Sequence, residues 1–346
     1  MKLRNVEISL AKSAIMEDGA RRTPDEMNYF LGVDAGGTKT EFVLGDAERE
    51  LARAVVGSIK RMRVSADIAQ ASLCQALAEL ERQTGVPART ITHSCIGAAG
   101  NSNPLVADWL RAAFAELVGG QLTLVNDAEI ALDDAFHGGR GVLALAGTGA
   151  IFAARTRTGD LLRAGGWGPA LDDEGSGYWI GMMGLRRCFQ AINERRSSAL
   201  YQAAMEHWNL HSRDELVAYA NRQPAPDFPQ LAPLFVACAE LGDAEASALM
   251  RDGGERLAHQ TILLIEQMQE AEAPEVCPPP AVACMGSVLV HAKPLRSAFV
   301  QALQLYNPAI QVLAEPADAA AGALRRARCA AADESYEAVD NNPRNY

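Results

Sequence analysis

Two apolar runs joined by a short polar turn, at residues 30–44, are the most informative part of the sequence. The first run ends at Asp34, and the turn contains Gly36, Gly37 and Thr38. The pattern predicts a strand, a tight turn and a second strand. Glycines let backbone N–H groups approach a ligand closely, and the carboxylate and hydroxyl suit phosphate oxygens and a hard cation. The segment therefore predicts either a phosphate-binding hairpin or an ordinary Gly-Gly turn.

A partial copy of this pattern recurs at residues 142–152. An apolar run again leads into a turn, here Gly147, Thr148 and Gly149, and a second apolar run follows. This turn lacks the third glycine of a dinucleotide fingerprint and lies between two predicted strands. The sequence also lacks a Gly-x-x-x-x-Gly-Lys-Ser/Thr motif, which excludes a P-loop enzyme. Two such hairpins predict two related halves that face one nucleotide.

The chain length favours two domains, because 346 residues are too many for one comfortable core. The predicted order β-β-β-α-β-α-β-α makes residues 28–137 one compact α/β domain, and residues 138–330 form the second. We expect residues 1–27 to be an extension outside the fold and residues 331–346 to be a polar tail.

Composition and charge exclude several classes of function. The chain has 43 acidic residues against 32 Lys plus Arg, a net charge of −11, which disfavours a nucleic-acid partner. Its longest uncharged apolar stretch, residues 141–154, is shorter than the roughly 18 residues that a membrane span needs, so no membrane segment is expected. The seven cysteines are scattered without a Cys-x-x-Cys pair, which predicts free thiols in a cytoplasmic protein.

Asp127 is the strongest candidate for a catalytic group. Residues 121–125 predict a strand that delivers Asn126 and Asp127 to its carboxyl end, where open α/β sheets place reacting groups. Phosphoryl transfer to an alcohol needs positioning, charge neutralisation and one carboxylate that accepts a late proton. Asp127 fits that role as a general base. The alternative is that Asn126 or Asp127 only caps the following helix.

A glycine-rich loop at residues 165–177 carries the groups that a sugar site needs. Its glycines let the backbone bend round a ligand, Trp167 offers a flat apolar face, and its carboxylates can accept hydroxyl hydrogen bonds. The alternative is structural: Asp173 and Glu174 would cap the helix that enters at Tyr178, and Trp167 would belong to the core.

Together these motifs resemble the N-acetylglucosamine kinase and BadF/BadG/BcrA/BcrD-type ATPase family, part of the actin, hexokinase and heat-shock ATPase superfamily. The resemblance covers about residues 28–330. The two hairpins are typical of the whole superfamily, whereas Gly-Gly-Trp-Gly at 165–168 followed by Asp-Glu-Gly-Ser at 173–176 is typical of amino-sugar kinases. The resemblance implies an α/β fold of two ribonuclease-H-like (actin/hexokinase-type) domains, with a cleft that closes over ATP and a sugar.

The resemblance also implies the roles of individual residues. Asp34 would lie near Mg²⁺, and Asp127 would take the proton from the 6-hydroxyl of the sugar. The residues expected to bind ATP and its phosphates are Gly36, Gly37, Thr38, Lys39, Thr148, Gly149, Gly286 and Ser287. The residues expected to bind the sugar are Asp127, Thr148, Gly149, Gly166, Trp167 and Asp173.

The predicted function is an ATP- and Mg²⁺-dependent kinase that phosphorylates the 6-hydroxyl of an amino sugar, foremost N-acetylglucosamine, and we expect a homodimer. One alternative is the same chemistry on glucosamine, N-acetylmuramic acid or another hexose. A second is a BadF-type ATPase that drives electron transfer, against which the isolated cysteines argue, because it needs cysteines that hold an iron-sulfur cluster. A third is a sugar sensor without catalysis.

The loop after the third predicted strand departs from the family pattern. Family members commonly place an asparagine there, in a Gly-x-x-Asn context, on a sugar hydroxyl, whereas this chain continues from Gly57 with Ser58, Ile59, Lys60 and Arg61. A cation at that point would suit an anionic substituent, such as a muramic-type lactyl group or an acidic sugar. The alternative is that Lys60 and Arg61 are solvated loop residues.

Overall fold

The computed structural model describes residues 28–98, 100–101 and 103–340, with side chains up to residue 332. The expected extension at residues 1–27 lies outside the described residues, as do residues 341–346 of the expected polar tail. Within the described residues, the chain forms two β-sheets, one of five strands and one of four. Helices cover the outer faces of the sheets and fill the space between them.

The first sheet has the strand order β3-β2-β1-β4-β5. Its strands are β1 (Tyr29–Ala35), β2 (Lys39–Gly45), β3 (Glu50–Gly57), β4 (Ile91–Ala98) and β5 (Gln121–Val125). The first three pair antiparallel, and β4 and β5 continue the sheet parallel to β1. The register places Asp34 opposite Gly97 and Gly97 opposite Val125. The carboxyl ends of β1, β4 and β5 therefore meet at one edge of the sheet.

The second sheet repeats this topology, with the strand order β8-β7-β6-β9. Its strands are β6 (Gly141–Ala146), β7 (Ala150–Arg155), β8 (Leu161–Gly165) and β9 (Val282–Met285). Again three strands pair antiparallel and β9 lies parallel to β6. Val282 also forms a parallel bridge with Val312, at the place beside β9 that β5 occupies beside β4. The predicted α/β class with two related halves is confirmed.

Eleven α-helices are present in the described residues. They are α1 (Ala66–Thr84), α2 (Pro104–Leu117), α3 (Asp127–Phe136), α4 (Gly177–Asn193), α5 (Ala199–His207), α6 (Arg213–Ala220), α7 (Ala232–Glu240), α8 (Ala244–Glu272), α9 (Ser287–His291), α10 (Lys293–Tyr306) and α11 (Ala319–Asp340). One core joins the first sheet to α1 and α2, and another joins the second sheet to α4–α10. Among these described helices, none combines the length and hydropathy that crossing a bilayer would require.

The helices α3 and α11 pack against each other between the two sheets and form a third core. Both sheets contribute one face to it: Phe30, Val43 and Cys95 from the first, and Leu143, Ala153 and Ala283 from the second. The two helices approach closely, since a Cβ at Gly322 would lie 1.8 Å from the carbonyl oxygen of Ile130. Residues 331–340, which belong to the expected polar tail, continue α11.

Candidate active site

The turn between β1 and β2, the first hairpin (residues 35–39), presents its backbone to solvent at the edge of the first sheet. Gly37, Thr38 and Lys39 are exposed, and Gly36 N–H closes the turn on the carbonyl oxygen of Asp34 at 3.2 Å. Within the described part of the chain, the N–H groups of Gly37 and Thr38 donate no hydrogen bond. These two free donors, with the Thr38 hydroxyl, are available to an anion.

The loop that follows β3, the basic loop (residues 58–64), braces the first hairpin. Ser58 Oγ donates to the carbonyl oxygen of Gly36 at 2.9 Å, and Ile59 N–H donates to Thr40 Oγ1 at 3.2 Å. The Arg61 guanidinium donates to the carbonyl oxygen of Val64 at 2.6 Å, so Arg61 is held within its own loop. Hydrogen bonds that involve the side chains of Ser58 and Thr40 therefore hold the first hairpin against the basic loop.

Asp34 and Asp127, the acidic pair, lie close enough for their charges to interact. Burial and the charge of Asp127 raise the pKa of Asp34 to about 7, while the charge of Lys60 acts to lower it. Gly97 separates the two carboxylates: it pairs with Asp34, and a Cβ on it would lie 3.3 Å from Asp127 Cα and 2.1 Å from Ile130 Cδ1. Only glycine at this position lets α3 begin so close to Asp34.

Asn126, rather than Asp127, is the N-cap of α3. Its Oδ1 accepts from Ala128 N–H at 3.0 Å, and Glu129 Oε1 accepts from Asn126 N–H at 3.2 Å, which completes a capping box. Asp127 Oδ1 also accepts from Ala128 N–H, at 3.0 Å. Since Asn126 fills the cap, the helix does not need a carboxylate at Asp127, and the second carboxylate oxygen of Asp127 remains available.

The turn between β6 and β7, the second hairpin (residues 147–149), is built like the first. The N–H groups of Thr148 and Gly149 donate no hydrogen bond within the described residues. Its carbonyls are used structurally, because Gly177 N–H and Tyr178 N–H at the start of α4 donate to Gly147 and Thr148 at 2.8 and 3.1 Å. The second hairpin therefore has two free N–H donors, and its carbonyl groups are bonded to the start of α4.

Asp173 is buried beside the second hairpin. It has a positive φ of 67°, and its Oδ1 accepts from Ala150 N–H at 2.9 Å. Burial raises the pKa of this carboxyl. A Cβ at Gly149 would lie 2.9 Å from both carboxylate oxygens, so glycine is required there. One oxygen of Asp173 fixes the hairpin, and the other carries no hydrogen bond among the described residues.

The structural alternative for the glycine-rich loop, in which Asp173 and Glu174 cap α4 and Trp167 belongs to the core, is wrong. Ser176 caps α4 by accepting from Trp179 N–H at 3.2 Å, and Glu174 pairs with Arg256 of α8, so neither Asp173 nor Glu174 is the cap. Trp167 is 69% exposed and does not belong to the core. Next to it, Gly166 takes a φ of 72° that favours glycine. The loop therefore presents an exposed indole ring to solvent, with the Arg163 guanidinium over the ring at 5.6 Å from its centroid.

A cavity of about 500 Å³ adjoins the second hairpin. Gly147, Thr148 and Ser287 line one end of it, and α4, α7 and α9 supply the walls. The apolar wall residues include Ile180, Ala232, Pro233, Val236 and Val288. Gly286 has a φ of 88°, and a Cβ there would lie 2.4 Å from the carbonyl oxygen of Ala146, so the start of α9 packs tightly on β6. This volume suits a flat, largely apolar group next to a phosphate chain.

The wall residues Val236 and Ala237 escaped the sequence analysis. Each is an apolar residue on a helix, and in the sequence such residues carry the same signal as core residues. No local motif marks them, and only the packing of α4 against α7 makes them line a cavity.

The carboxylate ligands at the site suit a magnesium ion that binds together with a nucleotide. Among the described residues, no three His, Cys, Asp or Glu side chains form a metal cluster. Mg²⁺ usually keeps several waters and binds one or two carboxylates together with substrate phosphates. Asp34 is such a carboxylate, because burial and a neighbouring like charge penalise its ionised form and a cation would relieve both effects.

The chain matches the sequence model of the BadF/BadG/BcrA/BcrD ATPase family over residues 31–324. An N-acetyl-D-glucosamine kinase of Dictyostelium discoideum is 31% identical over 66% of this chain and 76% of the relative. An N-acetylmuramic acid/N-acetylglucosamine kinase of Clostridium acetobutylicum is 24% identical over 87% of this chain and 99% of the relative. The crystal structure of a protein assigned as an N-acetylglucosamine kinase from Chromobacterium violaceum has a TM-score of 0.67 and 27% identity, over 87% of this chain and 99% of that one.

Proposed function

The chain belongs to the BadF/BadG/BcrA/BcrD ATPase family, and from this membership we propose that it is an ATP-dependent kinase that phosphorylates an amino sugar. The observation that carries the proposal is the acidic pair at the base of the first hairpin, with Asp127 relieved of the capping role. The family resemblance favours N-acetylglucosamine as the substrate, and glucosamine, N-acetylmuramic acid or another hexose are the alternatives.

Asp127 is the general base of the proposed reaction. It accepts the proton of the 6-hydroxyl while that oxygen bonds to the γ-phosphorus and the bond from phosphorus to ADP breaks. The free N–H donors of the two hairpins bind phosphate oxygens, and the cavity beside Gly286 and Ser287 receives the adenosine. When bound, Mg²⁺ neutralises charge on the phosphates, and Asp34 would hold it directly or through water.

The sugar is recognised by the glycine-rich loop in this proposal. Trp167 lies exposed and can pack on the apolar face of a sugar ring. The free oxygen of Asp173 and the backbone at Gly166 are acceptors for sugar hydroxyls. Thr148 and Gly149 lie next to Asp173, so the same hairpin can serve both substrates.

The test is ADP release, measured by a coupled assay with Mg²⁺-ATP and a panel of sugars. The panel contains glucosamine, N-acetylglucosamine, N-acetylmuramic acid, glucose and a control without sugar. We expect one amino sugar to stimulate ADP release strongly, with the phosphate found on the 6-hydroxyl by NMR. Slow ADP release that no sugar changes would overturn the kinase and favour the BadF-type ATPase.

The proposal includes a cytoplasmic homodimer. All seven cysteines are free thiols, which supports a reducing compartment. The dimer is supported by the family resemblance alone, and size-exclusion chromatography with light scattering tests it. A monomeric mass with full activity would contradict the dimer without affecting the kinase.

A further inference from the structure

Lys60 is half-buried in the basic loop. Within the described residues, its ammonium group forms no hydrogen bond and no ion pair. A lysine that loses part of its hydration without gaining a partner is costly, so proteins seldom keep one without a ligand for it. Arg61 of the same loop donates to Val64, and Arg63 is exposed to solvent, which leaves Lys60 as the half-buried cation of the basic loop to be explained.

The basic loop holds Lys60 next to the first hairpin. The backbone N–H of Lys60 donates to Ser58 Oγ at 3.2 Å, and the same hydroxyl donates to Gly36 at 2.9 Å. The Lys60 charge reaches Asp34, since it acts to lower the pKa of that carboxyl. Among the described residues, no ion pair links Lys60 to Asp34, so Lys60 is not the counter-ion of Asp34.

The sugar lies near the basic loop if Asp127 is the base, because Gly97 brings Asp127 next to Asp34 at the end of β1, and Ser58 ties the basic loop to Gly36, two residues after Asp34. A neutral hydroxyl needs only a hydrogen-bond partner there, whereas a partly buried ammonium is best compensated by an anion. We propose that Lys60 binds a carboxylate on the sugar, so that the preferred substrate is an acidic amino sugar, such as one that carries a lactyl ether. This inference rests on the proposed kinase function and names its substrate class.

The experiment compares N-acetylmuramic acid, as the acidic probe, with N-acetylglucosamine in the wild type and in Lys60→Met, Lys60→Arg and Lys60→Asn. The wild type should have the higher kcat/KM for the acidic sugar. Lys60→Met should raise the KM for that sugar about 10- to 100-fold and leave the KM for ATP unchanged. Lys60→Arg should keep the preference, and Lys60→Asn should shift it towards N-acetylglucosamine.

Arg111→Met, which removes an exposed positive charge from α2, is the matched control and should change neither sugar constant. An equal fall in kcat for both sugars in Lys60→Met would mean that Lys60 acts on the transferred phosphoryl group, and unchanged constants would mean a solvated residue. Either result overturns the inference.

Calorimetric binding of N-acetylmuramic acid separates the inference from the kinase proposal, because binding needs no turnover. The wild type should bind the acidic sugar and Lys60→Met should bind it about 10- to 100-fold more weakly, whether or not ADP is released. Absence of ADP release with every sugar would reject the kinase. Equal affinity of the wild type and Lys60→Met would reject the role of Lys60.

Discussion

Asp34 lies at the end of β1 and Asp127 follows β5 of the same sheet, yet their surroundings differ. Asp34 is enclosed at the end of β1, where burial and the charge of Asp127 raise its pKa to about 7. Asp127 is the first residue of α3, where the unpaired N–H groups of a helix start favour a carboxylate. In the proposed reaction, Asp34 is therefore the carboxylate that needs a cation, and Asp127 is the one free to take a proton.

Asp127→Asn should lower kcat by about 10²- to 10⁴-fold, because the amide cannot accept the hydroxyl proton. The KM for ATP and the binding of the sugar should stay near the wild-type values, since the amide keeps the shape of the side chain. Steady-state kinetics and calorimetry measure the two effects. Asp108→Asn on the exposed face of α2 is the control. A loss of kcat below about tenfold would show that another group is the base.

Asp34 should make the stability of the protein depend on pH. Because the folded-state pKa of about 7 lies above the unfolded value, the folded state binds the proton more tightly. The free energy of unfolding should therefore fall as the pH rises from about 4 to about 7 in EDTA. Asp34→Asn stays neutral and should show a shallower fall. Urea denaturation at pH 5, 6, 7 and 8 tests this, and parallel pH curves for the two proteins would contradict it.

The helix α3 connects the candidate site to the second sheet and to α11 through ion pairs. Asp133 accepts from Arg155 of β7 at 2.7 Å and from Arg326 of α11 at 2.5 Å. Arg326 also donates to Glu129 at 3.0 Å, and Glu129 closes the capping box on Asn126. The orientation of the residue after that cap, the proposed base, thus depends on side chains from the second sheet and from the last helix.

Arg326→Met should lower the free energy of unfolding by about 1.5–3 kcal/mol, because it leaves Glu129 without a charged donor and leaves Asp133 with Arg155 alone. The exposed pair Arg82 and Glu79 on α1 offers the matched control, and Arg82→Met should change stability much less than Arg326→Met does. Urea denaturation of both variants gives the comparison. Equal effects of the two substitutions would show that the ion pairs of Arg326 stabilise the protein no more than an exposed pair does.

Local patterns predicted the elements well, and long-range packing escaped them. The strand β5 and the start of α1 at the Ser65 cap agree with the sequence pattern, since alternation and capping are properties of neighbouring residues. The helix α10 lacks a side-chain cap and was not predicted. The position of α11 against the first sheet depends on its fit to Gly32 and Ile130, which no local pattern reveals.

The same division holds for the candidate site. Both glycine hairpins and the strand end at Asp127 could be located from residue types in order. Their roles in binding and catalysis remain predictions. The exposure of Trp167 and the bond from Ala150 N–H to Asp173 Oδ1 could not be read from the sequence, because they depend on how the glycine-rich loop folds back onto β7.

At the scale of the whole molecule, the two halves carry different parts of the site. The acidic pair lies at the edge of the first sheet, and the cavity in which we propose that the nucleotide binds lies beside the second. Phosphoryl transfer needs reacting atoms within about 3–3.5 Å, so the halves must be brought together around both substrates. The third core, in which α3 and α11 pack against both sheets, connects the two halves. We expect any movement of one half relative to the other to take place at this core.

Sugar and a non-hydrolysable ATP analogue together should make the molecule more compact than either ligand alone. Small-angle X-ray scattering should show a smaller radius of gyration for the ternary complex of the wild type. Asp127→Asn should show the same decrease with ATP itself, since the substitution removes the proton acceptor and keeps the binding groups. An unchanged radius in both complexes would contradict closure.

The place of α11 also sets an order for folding during translation. The ribosome makes the first sheet early, but Phe30, Val43 and Cys95 on one of its faces are covered by a core that includes residues 319–327. A growing chain therefore carries an uncovered apolar face on its earliest sheet until almost the whole protein has emerged. The sheet that is synthesised first is therefore the last to have its apolar face covered. A chaperone that binds apolar surface would have to shield that face for longer than any other.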